Sequence, residues 1–267
     1  MNKKIGIVGY GYVGKSVAKF FSDHFDVVIY DPDYSESVSK EEINSCDMAV
    51  VSVPTPMSAD KSCDLSIIDS TMNWLNTPVI LIKSTIPPTT TKRLVEQTGK
   101  RIAFSPEYVG EGNYVVPVGK GYPDPQDIKK HEFQIIGGDK ETVHDIIQFF
   151  KRVLGAEARY FQTDSTTAEL CKYMENCFLA TKVIFVNEFY DIAKAYGVNF
   201  DELREAWLLD GRIGRSHSTV FENQRGFSGK CLPKDLNALA YEVENKFGHR
   251  PRLLSSVLDI NDEYNKT

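Results

Sequence analysis

The stretch KIGIVGYGYVG, Lys4 to Gly14, constrains this chain more than any other. An apolar run ends at Gly9, further glycines follow at Gly11 and Gly14, and a helical pattern begins there. Glycine at the first place permits a tight turn, at the second lets backbone approach a bound group, and at the third lets a helix pack close to a strand. Unsatisfied N–H groups and the dipole at the start of that helix favour a negative group such as a pyrophosphate. The next strand-like run, DVVIYD, ends at Asp31, whose carboxylate suits ribose hydroxyls. The residues after it, PDYSES, hold no arginine to receive a 2′-phosphate. The spacing reads as a dinucleotide site that takes NAD rather than NADP. A glycine-rich turn without a ligand, or a phosphate site for another nucleotide, would show the same spacing.

Seven short apolar runs recur along the first part of the chain, at 4–9, 26–31, 48–53, 79–84, 101–106, 133–138 and 158–161. None alternates strictly, as expected of strands covered on both faces of a largely parallel sheet. Helical patterns lie between them near 14–22, 64–76, 88–98 and 140–153. This order predicts an α/β fold, a doubly wound Rossmann-type domain over residues 1–162 with its crevice beyond the carboxyl ends of the strands. From Asp164 to Tyr196 there is neither glycine nor proline, and Thr166-x-x-Glu169 has capping-box spacing. A helix of about 30 residues would run about 45 Å and form the spine of an all-helical second domain, 163–267. Further helices are expected near 200–209, 233–247 and 252–265. The irregular piece from Gly110 to His131 reads either as a functional loop or as a surface insertion.

Charge narrows the partners. A net charge of -6, with no long Lys/Arg run, argues against nucleic acid and anionic membrane surfaces. No apolar stretch approaches the ~20 residues of a membrane span. The five cysteines are an odd number and include no Cys-x-x-Cys pair, so neither a disulfide framework nor a metal site is expected, and the location expected is cytoplasmic.

Two features of the second domain carry chemistry. Cys231 lies just ahead of a helix whose first turn holds Pro233, between Lys230 and Lys234. The helix dipole and the lysines both favour thiolate over thiol, which suits a nucleophile. Asp235, in the same turn, reads as a dipole-stabilising carboxylate. Cys46, Cys63, Cys171 and Cys177 lack this setting and read as packing residues. On the long helix Glu169, Lys172 and Asn176 share one face, which reads either as a solvated face or as a catalytic one. Another face, formed by Cys171, Met174, Phe178, Phe185, Phe189, Ile192 and Tyr196, is the apolar stripe expected to bury in the core.

The blocks GYGYVG, PTP (54–56), KST (83–85), SPEYVGEG (105–112), AELCKYMENCFLA (168–180), NE (187–188), DGRIG (210–214) and GKCLPKD (229–235) together resemble the UDP-glucose/GDP-mannose dehydrogenase family. The resemblance implies NAD-dependent, four-electron oxidation of a nucleotide-sugar primary alcohol to the carboxylate, of the UDP-glucose to UDP-glucuronate type. It implies cofactor contacts from Gly9, Gly11, Tyr12, Val13, Gly14, Asp31, Pro54, Thr55 and Thr85. It makes Cys231 the nucleophile and gives Lys172 and Asn176 the reacting oxygen. It links Glu111, Thr85 and Asp235 to proton transfer and water activation. Glu107, Glu111, Lys172, Asn176, Arg212 and Gly229 would bind substrate, Arg212 across a homodimer interface.

Two departures qualify this picture. The family usually carries a third domain, which would begin about where this chain stops at Thr267, and the loop before Cys231 has Phe227, Ser228 and Lys230 in place of glycines. Contacts to the nucleotide half are therefore expected from a partner subunit, or the substrate is smaller. A two-electron β-hydroxyacid-type dehydrogenase would need Lys172 and Asn176 but no thiol. An inactive NAD-binding regulatory module would need only the glycine turn.

Overall fold

The computed structural model describes residues 3–109, 127–131 and 133–266. Its chain forms two compact units. The first comprises Met1–Pro56 and Asp64–Lys172, and the second Met57–Cys63 and Tyr173–Thr267. This division falls inside the long helix, and the chain leaves the first unit for seven residues after Pro56.

The first unit is built on a seven-stranded sheet: β1 Lys4–Val8, β2 Asp26–Tyr30, β3 Met48–Val51, β4 Ile80–Ile82, β5 Ile102–Phe104, β6 Phe133–Gly137 and β7 Arg159–Thr163. Their order is β2-β1-β3-β4-β5-β6-β7. Every pairing is parallel except β5 with β6, which meet antiparallel at Phe104 and Gly137. The central strands β3, β4 and β5 are buried along their whole length, which is why their sequences show no alternation.

Helices cover both faces of the sheet. On one side α1 (Tyr12–Phe21) and α5 (Lys140–Leu154) pack Phe20, Phe21, Ile146 and Phe150 against Ile5, Ile7 and Leu81. On the other, α2 (Lys40–Asn44), α3 (Ser66–Trp74) and α4 (Thr90–Thr98) pack Ile43, Ile68, Met72 and Leu94 against Val51, Ile80 and Ile82. The short helix α2 escapes the sequence pattern because five mostly polar residues carry no period. Its Ser39 cap accepts from the Glu42 N–H.

The long helix α6 runs from Ser165 to Ala195. Its start is not closed by the expected capping box. Asp164 accepts from the N–H and hydroxyl of Thr167 at 2.9 and 2.6 Å, and Glu169 points elsewhere. In the second unit α6 packs with α8 (Leu232–Phe247) and α9 (Arg252–Tyr264) around Cys177, Ala180, Ile184, Phe227, Leu236 and Val257. Helix α7 (Phe200–Trp207) follows α6, capped by Asn199.

The expected core stripe on α6 is overturned. Met174, Phe178, Phe185, Phe189, Ile192 and Tyr196 are exposed, Met174 by 76% and Tyr196 by 83%, and Cys171 is half-buried. The buried face instead carries Glu169, Tyr173, Asn176, Cys177, Ala180, Ile184 and Asn187. Glu169, Asn176 and Asn187 sit inside because each has a hydrogen-bond partner remote in sequence.

Candidate active site

Sheet topology places the glycine turn. The chain passes from β1 to β2 on one side and returns to β3 on the other, so the carboxyl ends of β1 and β3 flank the switch point. Gly9 sits there with φ +90, and a Cβ on it would lie 2.6 Å from the Ser52 carbonyl at the end of β3. A Cβ on Gly14 would lie 2.0 Å from the Gly9 carbonyl. Both positions are closed by backbone. At Gly11, the N-cap of α1, an added Cβ meets nothing within 4 Å, which leaves backbone open to a ligand at the start of the helix. The donor set and the open cradle fit a pyrophosphate.

Asp31 follows β2, and its carboxylate accepts the Tyr10 N–H at 2.6 Å and the Asp33 N–H at 2.9 Å. The acidic residue is thus fixed by the glycine turn itself, with lone pairs remaining for hydroxyl donors. Pro54 and Thr55 follow β3. The buried Thr55 hydroxyl donates to the Thr85 carbonyl at 2.8 Å, and the Ser84 hydroxyl donates to the Val53 carbonyl at 2.7 Å. The segments after β3 and β4 are therefore tied to one another beyond the sheet edge.

Beyond β5, Glu107 is buried and already engaged. It accepts the N–H groups of Tyr108 and Val109 at 2.8 Å each, and its other oxygen lies 3.5 Å from the Lys83 ammonium. Lys83 also donates to the Ser105 hydroxyl and the Pro106 carbonyl. This buried lysine went unassigned in the sequence, although it opens the KST block. Lys172, half-buried on α6, sets its ammonium 5.2 Å over the Tyr108 ring, a cation–π contact. Glu111 lies outside the described residues.

The second unit carries the thiol. Cys231 is the N-cap of α8 and is exposed. None of the five cysteines, all among the described residues, is in a disulfide. Burial pushes the thiols of Cys46 and Cys177 up to about 11 and about 12, which makes both poor nucleophiles. One turn into α8, Asp235 is 1% exposed. It accepts the Asn176 amide at 2.5 Å and pairs with the Lys234 ammonium at 2.6 Å. Asn176 and Asp235 are thus in contact, and Asp235 is joined to Cys231 by its N–H bond to the Cys231 carbonyl at 2.9 Å.

The segment leading to the thiol is anchored by residues given no role in the sequence, although Asn187 opens the NE block. Asn187 accepts the Arg225 Nε–H at 2.7 Å and the Gly226 N–H at 3.2 Å. Asn261 accepts the Phe227 N–H at 2.7 Å. Arg225 pairs with both oxygens of Asp191 and lies 4.7 Å from the ring centres of Tyr190 and Tyr264. Gly226 has φ +71, and a Cβ there would lie 2.6 Å from Asn261 Oδ1. Gly229 has φ +87 and open space around it. Arg212 stays apart, exposed and bonded to Asp210 in its own turn.

A glycine turn at the switch point of a doubly wound sheet, followed by a long helix and a helical unit, defines a dinucleotide-binding α/β protein. The chain belongs to the UDP-glucose/GDP-mannose dehydrogenase family: residues 33–149 match its NAD binding domain and residues 166–263 its central domain. It is 27% identical to a UDP-glucose 6-dehydrogenase of Haloferax volcanii over 97% of this chain and 69% of that protein. It is 30% identical to a UDP-glucose 6-dehydrogenase of Rickettsia bellii over 85% of this chain and 52% of that protein. The solved structure of a UDP-glucose dehydrogenase from Pyrobaculum islandicum superposes with a TM-score of 0.83 at 27% identity, covering 98% of this chain and 68% of that one. The chain therefore spans from 52% to 69% of these relatives' length. Among the described residues no helix is long and apolar enough to cross a membrane.

Proposed function

We propose that this protein oxidises the primary alcohol of a nucleotide sugar to the carboxylate in two steps, through a covalent intermediate on Cys231. The observation that carries this reading is the pairing, at one helix start, of an exposed thiol with a buried Asp235 bonded to Asn176. NAD, for which Gly9, Gly11, Tyr12, Val13, Gly14, Asp31, Pro54, Thr55 and Thr85 form the binding set, supplies the hydride acceptor for each oxidation.

In the first oxidation the alcohol carbon loses a hydride and its oxygen a proton, giving an aldehyde. Lys172 and Asn176 donate to that oxygen and stabilise its negative charge. The Cys231 thiolate then adds to the aldehyde carbon to form a thiohemiacetal. Loss of a second hydride from carbon and of the hydroxyl proton leaves a thioester, and water displaces the thiol to give the carboxylate. Asp235, Glu111 and Thr85 handle protons and the attacking water, and Glu107, Arg212 and Gly229 complete the substrate set.

The exposed apolar face of α6, from Leu170 through Met174, Phe178, Phe185, Phe189 and Ile192 to Tyr196, supports a homodimer. At 1.5 Å per residue it is about 39 Å long, and a stripe of that size is rarely left to solvent. A cytoplasmic location, where thiols stay reduced, suits a cysteine nucleophile.

The test is stoichiometric. The protein is incubated with NAD and a panel of nucleotide sugars, and NADH is counted against sugar consumed. Two NADH per sugar are expected, with Cys231→Ser stopping after at most the first. One NADH per sugar in the wild type would replace this reading with a two-electron dehydrogenase, and none with any sugar would reject dehydrogenase activity.

A further inference from the structure

The carboxylate of Glu169 is fully buried, yet it does no work in the mechanism above. It lies three residues before Lys172 on α6 and reaches across to the start of α4. One oxygen accepts the Thr89 N–H at 2.7 Å and the other the Thr91 N–H at 2.8 Å. Those are orphan donors of a helix start. The N-cap of α4, Thr89, makes no side-chain cap bond of its own and has φ +76, a left-handed conformation that is costly for a β-branched residue. The cap arrives instead from a residue 80 positions away.

The strained Thr89 closes a short segment that begins at Ser84. The near end of that segment is held by Ser84 on Val53 and by Thr55 on the Thr85 carbonyl. Its far end is held by Glu169. We propose that Glu169 is a positioning residue, clamping the Thr85 segment to the turn of α6 that carries Lys172 and so fixing the cofactor side of the site. This rests on the roles given above to Thr85 and Lys172. A buried carboxylate serving two backbone N–H groups at a strained cap is a costly arrangement for stability alone, and it sits between two elements of the site.

Glu169→Gln tests it, since the amide keeps the shape but turns an NH2 group toward one of the two N–H donors. Amide hydrogen exchange at Thr89 and Thr91 is expected to speed up about tenfold or more while β1 and β3 are unchanged, and the Kd for NAD to rise about fivefold or more. With nucleotide sugar, kcat is expected to fall more than the sugar's KM changes. Faster exchange with unaltered NAD affinity and kcat would make Glu169 a structural cap only and overturn the proposal, as would unaltered exchange. If the wild type oxidises no nucleotide sugar, the catalytic reading fails, and NAD affinity with exchange still decides this one. If Glu169→Gln does not fold, Thr91→Pro removes one of the clamped N–H groups at a first-turn position that tolerates proline. The same loss of NAD affinity is expected, and unaltered affinity overturns the proposal.

Discussion

In the first unit the strands β3, β4 and β5 bury apolar side chains on both faces and ask nothing of any particular neighbour beyond shape. In the second the face of α6 turned to the core includes Asn176 and Asn187, each of which demands specific polar partners. Apolar burial is non-directional and forgiving of substitution of similar size. Polar burial is directional, and one lost partner leaves the other stranded. The two units should therefore answer mutation differently.

The sharpest break is Asn187→Leu, a change of similar volume that would be mild in an ordinary apolar core. Here it strands the Arg225 Nε–H and the Gly226 N–H. A loss of about 4 kcal/mol in chemical denaturation is expected. A loss below about 1 kcal/mol would show that this face behaves like the sheet.

Glu169 gives the next effect, and it is read in pH. Burial pushes its carboxyl up from 4.5 to about 7, against the opposing pull of the Thr91 and Thr89 donors. The folded chain then holds the proton more tightly than the unfolded chain. Stability from this group is complete below about 4.5 and is lost as pH rises toward about 7, by about 3 kcal/mol in all. Glu169→Gln should flatten that part of the stability–pH curve, and an unaltered slope between those limits would place the titration elsewhere.

The smallest effect on the isolated chain belongs to the exposed stripe of α6. Phe178→Ser with Phe189→Ser should change its stability by no more than about 0.5 kcal/mol per site. In analytical ultracentrifugation the same pair should turn a dimer into a monomer. A dimer that survives both substitutions would move the interface off this face.

Apart from the short α2, the order of strands and helices was legible in the sequence because most of the strands are short, largely apolar runs bounded by turn residues. The extent of α6 was legible too, since no glycine or proline interrupts it. Which way α6 faces was not. Met174, Phe178 and Phe189 spell a core by composition, and only the partners of Glu169, Asn176 and Asn187 show that the helix is turned the other way. Those partners lie 80, 59 and 38 positions distant, and no local pattern records them. For the same reason Cys231 stood out by its helix start, whereas Lys83, Asn187 and Asn261 did not. Their roles depend on what they touch and not on their spacing.

Seven residues of the second unit, Met57–Cys63, are inserted between two stretches of the first, and the chain returns to the second only at Tyr173. The backbone therefore passes between the units three times. No single cut yields both as unbroken pieces: expressing 1–172 alone would strip that short strap of its companions, and 173–267 alone would lack it. The first unit is complete within 1–172, but the smallest unbroken piece that holds all of the second is 57–267, which carries most of the first along with it.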